Sequence, residues 1–121
     1  MFKLSQEFLF DAAHSFRNMP NGHKYEGLHG HSFRVRVTVA GGRQDDNGFV
    51  TDFNVLEQAC GQVRAKLDHK YLNEVPGLQS PSLENIARWI WDQLGGQFPG
   101  LSEVTVARDS CNHTCSYSGP D

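Results

Sequence analysis

Three histidines carry the chemistry most legible in this chain. His29 and His31 are two residues apart, so on an extended chain both imidazoles leave the same face, with Cα atoms roughly 7 Å apart. Rings that close can meet at one ion. An H-x-H pair also arises by chance on strands, but His14 lies upstream at matching parity. Three neutral imidazoles with a fourth position left to water or substrate form the ligand set of catalytic zinc, whereas structural sites usually close with thiolates. Iron or nickel would satisfy the same nitrogens nearly as well.

The elements that position these rings follow from the alternation around them. Phe33, Val35, Val37 and Val39 share the face of His29 and His31, while Ser32, Arg34, Arg36 and Thr38 take the other. Phe2, Leu4, Phe8, Phe10, Ala12 and His14 repeat the pattern against Lys3, Ser5, Glu7 and Asp11. Strands are therefore predicted over residues 2–14 and from Leu28 to about Ala40, with the histidines pointing inward at their ends. Between them runs a polar loop broken by Pro20, Asn21, Gly22 and Gly27, which carries His23, Tyr25 and Glu26. A loop of that length beside a metal is usually functional.

After Gly41-Gly42 and an acidic turn at Asp45-Asp46-Asn47-Gly48, Phe49-Val50-Thr51 reads as a short strand extension. A helix is predicted from about Asn54 to Leu67, capped by Asp52 or Asn54, with Phe53, Leu56, Cys60, Val63 and Leu67 in its apolar stripe. Asp68-His69-Lys70-Tyr71-Leu72-Asn73 ends it, and Pro76-Gly77 turns the chain. Ser80 is the expected cap of a second helix, with Pro81 at its first position, Glu84 in its first turn, and Leu83, Ile86, Ala87, Ile90 and Leu94 inward. Gly95-Gly96 stops it; Leu101 to Arg108 reads as a third strand and Ser116 to Ser118 as a short fourth. The order ββααββ, without internal repeat or linker, implies one α+β domain over residues 1–121, an antiparallel sheet with both helices on one face. Its edges invite pairing between subunits, so a ring-like homo-oligomer is expected.

At 121 residues and a net charge of −3 with interspersed signs, nothing points to nucleic acid or a membrane surface, and a small-molecule partner is expected. There is no long apolar run, and the alternating N-terminus differs from a signal peptide, which suggests a cytoplasmic protein. Cys60, Cys111 and Cys115 read as reduced and structural; the spacing of the last two gives only a weak metal signal.

Taken together, Phe10-Asp11-Ala12-Ala13-His14, His23-Lys24, Leu28-His29-Gly30-His31-Ser32-Phe33, Val50-Thr51-Asp52-Phe53, Leu67-Asp68-His69 with Leu72-Asn73, Pro81-Ser82-Leu83-Glu84-Asn85 and Cys111-x-x-x-Cys115 resemble the 6-pyruvoyl-tetrahydropterin synthase and 6-carboxytetrahydropterin synthase family. The resemblance implies a tunnelling fold (T-fold), a ring of identical subunits (a hexamer) with active sites between them, zinc on His14, His29 and His31, and 7,8-dihydroneopterin triphosphate as substrate. It also implies that Asp68 and His69 are an acid/base pair. From chemistry alone, a carboxylate beside a histidine orients the ring and raises its basicity, although a helix terminus produces the same pair.

Two positions depart from the family pattern. Tyr25 stands where a catalytic cysteine is expected, and beside it Glu26-x-x-His29-Gly30-His31 looks like the subgroup in which a glutamate replaces that cysteine and the product is 6-hydroxymethyl-7,8-dihydropterin, on the way to folate. A carboxylate there could take the hydroxyl proton that starts retro-aldol cleavage. Asp109 stands where the family has a glutamate accepting two hydrogen bonds from the pterin, and it is shorter by about 1.5 Å. The expectation is a zinc-dependent lyase acting on the dihydroneopterin triphosphate side chain, with catalytic Glu26, Asp68 and His69 and substrate-binding Asp109; overall similarity leaves the 6-carboxy (queuosine) branch open. The rival is a zinc-containing pterin- or purine-binding paralogue without lyase chemistry. Lys24, Arg34 and Arg36 are triphosphate candidates by charge only.

Overall fold

The computed structural model describes residues 1–16, 19–23 and 27–121. Lys24, Tyr25 and Glu26 therefore lie outside the described residues. Strand β1 spans Phe2–His14 and β2 His29–Gly41; helix α1 spans Phe53–Leu67 and α2 Leu83–Leu94; β3 spans Leu101–Arg108 and β4 His113–Tyr117. Short 3-10 turns at Leu72–Glu74 and Asp109–Cys111 complete the order. The four strands form one antiparallel sheet in the order β1-β2-β3-β4, and α1 packs on β1 while α2 packs on β3 and β4. This is the expected ββααββ arrangement.

The register explains the core. Phe10 pairs with Phe33, Phe8 with Val35, Val35 with Val106 and Val37 with Val104, so one face of the sheet is a continuous apolar layer. Phe10 and Phe33 stack at 4.8 Å and are essentially fully buried. Burying each ring contributes on the order of 2 kcal/mol, which fixes the ends of β1 and β2 where the histidines stand. The opposite face is polar, carrying Glu7, Arg34, Arg36 and the Ser5–Thr38 hydrogen bond. Gly100 enters β3 against the backbone of β2, where a Cβ would lie 2.5 Å from the Ala40 carbonyl oxygen, so only glycine fits.

Four details differ from the sequence-based expectation. Helix α2 is capped by Ser82, whose hydroxyl accepts from the Asn85 N–H at 3.1 Å, and not by Ser80. Pro81 thus precedes the helix, and its carbonyl is free to meet His14. Phe53 occupies the first turn of α1 but is 47% exposed, because the core stripe begins at Leu56; Asp52 is the cap. Residues 49–51 form no strand, since the Asp45 carboxylate accepts from the Asn47 and Phe49 N–H groups and closes a tight loop instead. Strand β4 begins at His113 because Asn112, in the left-handed region at φ 59°, reverses the chain immediately after the 3-10 turn.

Candidate metal centre and catalytic cleft

The pairing of β1 with β2 sets His14 opposite His29 and Ala12 opposite His31. The three rings meet edge to face, with centroids 4.4 Å apart for His14 and His29, 5.1 Å for His14 and His31, and 4.9 Å for His29 and His31. One ring nitrogen from each lies within 4.8 Å of the other two. Small side-chain rotations suffice to bring three such nitrogens to roughly 2.1 Å from one ion.

The backbone decides which nitrogens are offered. His14 Nδ1 lies 3.0 Å from the Pro81 carbonyl and His29 Nδ1 2.8 Å from the Gly27 carbonyl. A carbonyl only accepts, so each Nδ1 carries the hydrogen and each Nε2 keeps its lone pair. All three Nε2 atoms are buried, and those of His14 and His31 have no hydrogen-bond partner among the described residues. Leaving such an atom buried and unsatisfied costs about 1–3 kcal/mol, a penalty that coordination removes. His31 Nδ1 is approached by Cys111 Sγ at 4.0 Å, in the β3–β4 connection.

Burial and neighbouring charge keep His14 and His31 neutral. Burial pushes the His14 imidazolium down to about 4 despite the Pro81 hydrogen bond, and positive charge on His29, His31 and Arg108 adds to the effect. His31 is lowered too, first by burial and then by Arg108, His29 and His113. At neutral pH both are therefore unprotonated bases, the form that binds a metal. The residues present fit a divalent ion of the imidazole-binding class.

Asp68 and His69 stand together at the end of α1. Asp68 Oδ1 accepts the Asp11 N–H at 3.0 Å, while Oδ2 receives Arg64 Nη2 at 3.1 Å and His69 Nδ1 at 3.0 Å. The Asp11 N–H first, then His69 and Arg64, hold the Asp68 carboxyl below the usual carboxylate range. His69 adopts φ 59°, and its N–H donates to the Asp11 carbonyl at 2.7 Å. With Ala13 bonded to the Lys70 carbonyl and bridged to Tyr71, the segment is sewn to the edge of β1. An open cleft of about 600 Å³ is lined by Asp11, His31, Ser32, His69, Lys70 and Tyr71, so one histidine of the cluster and the Asp68-held histidine face the same space.

Asp109 lies elsewhere. Its carboxylate is on the polar face, forked by Arg34 with Nε to Oδ2 at 3.0 Å and Nη2 to Oδ1 at 3.1 Å, and this pairing lowers its pKa. Arg34 and Arg36 both also reach Glu7 Oε2, at 3.2 and 3.3 Å. Within one chain Asp109 is therefore not brought into the histidine cluster. Sequence reasoning passed over Arg108, which is buried and acts electrostatically on His14 and His31; its parity with Val104 and Val106 was the available signal. It also passed over the Pro81 carbonyl, for which the sequence holds no signal.

Residues 3–120 match the family described as 6-pyruvoyl tetrahydropterin synthase. A 6-carboxy-5,6,7,8-tetrahydropterin synthase of Synechocystis is 40% identical, over 99% of this chain and 95% of the relative. A dihydroneopterin monophosphate aldolase of Pyrococcus furiosus is 37% identical over 75% of this chain and 73% of its own length. Among solved structures, the 6-pyruvoyl tetrahydropterin synthase of Caenorhabditis elegans superposes with a TM-score of 0.86 at 21% identity, covering 98% of this chain and 96% of that one. Sequence match over nearly the whole chain and likeness of fold agree: the chain belongs to the 6-pyruvoyl tetrahydropterin synthase family of lyases.

Proposed function

We propose that this protein is a zinc-dependent lyase that cleaves the side chain of 7,8-dihydroneopterin triphosphate in the cytoplasm, with 6-hydroxymethyl-7,8-dihydropterin as the favoured product. The observation that carries the reading is the set of three imidazoles with ring nitrogens within 4.8 Å of one another, two of them with buried Nε2 atoms that no group among the described residues satisfies, beside the cleft that His31 and His69 line. Zinc held by His14, His29 and His31 would polarise the side-chain oxygens of the substrate and stabilise negative charge that develops on them.

The protein's own groups move the protons. Glu26, three residues before His29, takes the proton of a side-chain hydroxyl; the adjacent carbon–carbon bond breaks, and the carbon left on the ring side is protonated. The hydroxyl-bearing carbon leaves as an aldehyde with the phosphates, Glu26 keeps the proton it took until solvent removes it, and His69, as an imidazolium with Nδ1–H donated to Asp68, would supply the ring-side carbon's proton from Nε2. Tyr25 cannot serve as a thiolate base, which is why the glutamate is favoured. The Pyrococcus relative is named an aldolase, the reaction type that this cleavage requires. Asp109 is proposed to bind the pterin edge, with subunits assembled as a hexameric ring through the sheet edges at β1 and β4.

Mass spectrometry of the products formed by zinc-loaded protein from 7,8-dihydroneopterin triphosphate tests the reading. The 6-hydroxymethyl product supports it; a 6-carboxy product moves the enzyme to the queuosine branch. A second reading, a pterin- or purine-binding paralogue without lyase activity, is favoured by one observation, that Arg34 already holds the Asp109 carboxylate. Untouched substrate would point to it and send the search to other ligands.

A further inference from the structure

Arg34 sits on β2 opposite Ala107, and Asp109 opens the 3-10 turn two residues further along, within reach of the Arg34 side chain. The guanidinium meets both carboxylate oxygens, Nε to Oδ2 at 3.0 Å and Nη2 to Oδ1 at 3.1 Å. The edge it presents is an H–N–C–N–H unit. A pterin is itself a cyclic guanidine, and its ring N–H and 2-amino group present the same unit at the same spacing. A carboxylate fork accepts one such edge at a time.

We propose that Arg34 is an internal competitor for the pterin: in the free protein its guanidinium occupies Asp109, and binding requires that it be handed over to Glu7. The inference rests on the reading of Asp109 as the pterin-binding carboxylate. Glu7 is the natural receiver, since Arg34 Nη1 already lies 3.2 Å from Glu7 Oε2. The Arg34 and Asp109 side chains are 29% and 63% exposed, so the pair is solvated and exchangeable. Pairs of this kind are weak, which makes Arg34 a toll of a few-fold in affinity and not a lock. A ligand then wins the site only if other contacts supplement the pterin edge, and ligands without a paired donor edge gain nothing from its release.

Fluorescence titration of zinc-loaded protein with pterin tests this. Arg34→Met should tighten pterin binding about two- to fivefold. Arg34→Lys, which keeps the charge but lacks the planar fork, should tighten it in the same direction and covers the case in which the methionine variant misfolds. Glu7→Gln should weaken it, because Arg34 loses its alternative partner. Lumazine, with a carbonyl in place of the 2-amino group, should bind equally to wild type and Arg34→Met. Pterin affinity unchanged or reduced in both Arg34 variants overturns the inference. If Asp109→Asn weakens pterin in every background, that failure belongs to Arg34 alone; if Asp109→Asn leaves pterin affinity unchanged, the reading of Asp109 fails and the inference with it.

Discussion

Acid should unfold the metal-free protein through His14. Its ring is fully buried and titrates at about 4 in the fold against 6.5 in an unfolded chain. Above pH 6.5 the ring is neutral in both states and contributes no pH dependence. As pH falls from 6.5 to 4 the unfolded chain takes up a proton that the folded chain refuses, so stability drops; below 4 both states are protonated and the loss levels off. At 1.36 kcal/mol per pH unit, the gap amounts to ~3 kcal/mol. Domains of this size have about 5–15 kcal/mol in total, so the loss is readily measured. The assay is urea unfolding of chelator-treated protein at intervals between pH 7.5 and 4, compared with His14→Gln. The variant begins lower, having lost the Pro81 hydrogen bond, but the difference between the two proteins should shrink by ~3 kcal/mol toward pH 4. Parallel curves for the two proteins would refute the placement of His14 as a buried neutral base.

Three further outcomes follow from the same geometry. His31→Ala removes one of three ligands and should lower zinc affinity by at least about 100-fold while far-ultraviolet circular dichroism stays unchanged; competition with a chromophoric chelator reads it. Glu26→Gln should keep zinc and oligomer intact but reduce turnover by about 10²-fold or more, and unchanged turnover would remove Glu26 from the mechanism. Gly100→Ala places a Cβ 2.5 Å from the Ala40 carbonyl oxygen, so β3 must shift; a loss of about 1–3 kcal/mol in chemical denaturation is expected, with wild-type stability as the contradicting result.

Much of the fold could be read from period alone. The two-residue alternation through Phe10, Ala12 and His14, and through His29, His31 and Phe33, fixed both the strands and the direction of the rings. The α2 stripe from Leu83 to Leu94 is buried at each of its five predicted positions. What escaped was set by tertiary partners. Ser80 and Ser82 are equally good caps in isolation, and the choice goes with the Pro81 carbonyl, which bonds to His14 Nδ1 instead of continuing the helix. Phe53 fits the stripe by spacing, but spacing does not reveal where the core ends. The fork between Arg34 and Asp109 joins residues 75 positions apart in sequence, and no local pattern reports such a pair.

The cleft divides along the same line. His14, His29 and His31 were legible because strand parity is a local property and three coincidences of parity at two strand ends are informative. Asp68 and His69 were visible as neighbours, but the Asp11 N–H that anchors the carboxylate comes from β1, and only the folded edge brings it there. Arg108 could have been read inward by the same alternation that placed Val104 and Val106.

The most direct test of the account is to follow turnover of 7,8-dihydroneopterin triphosphate while a chelator withdraws zinc and elemental analysis reports what remains. Activity should fall in proportion to bound zinc, reach background in stripped protein, and return on restoring one zinc per chain. Full turnover by protein free of metal would contradict the role assigned to His14, His29 and His31.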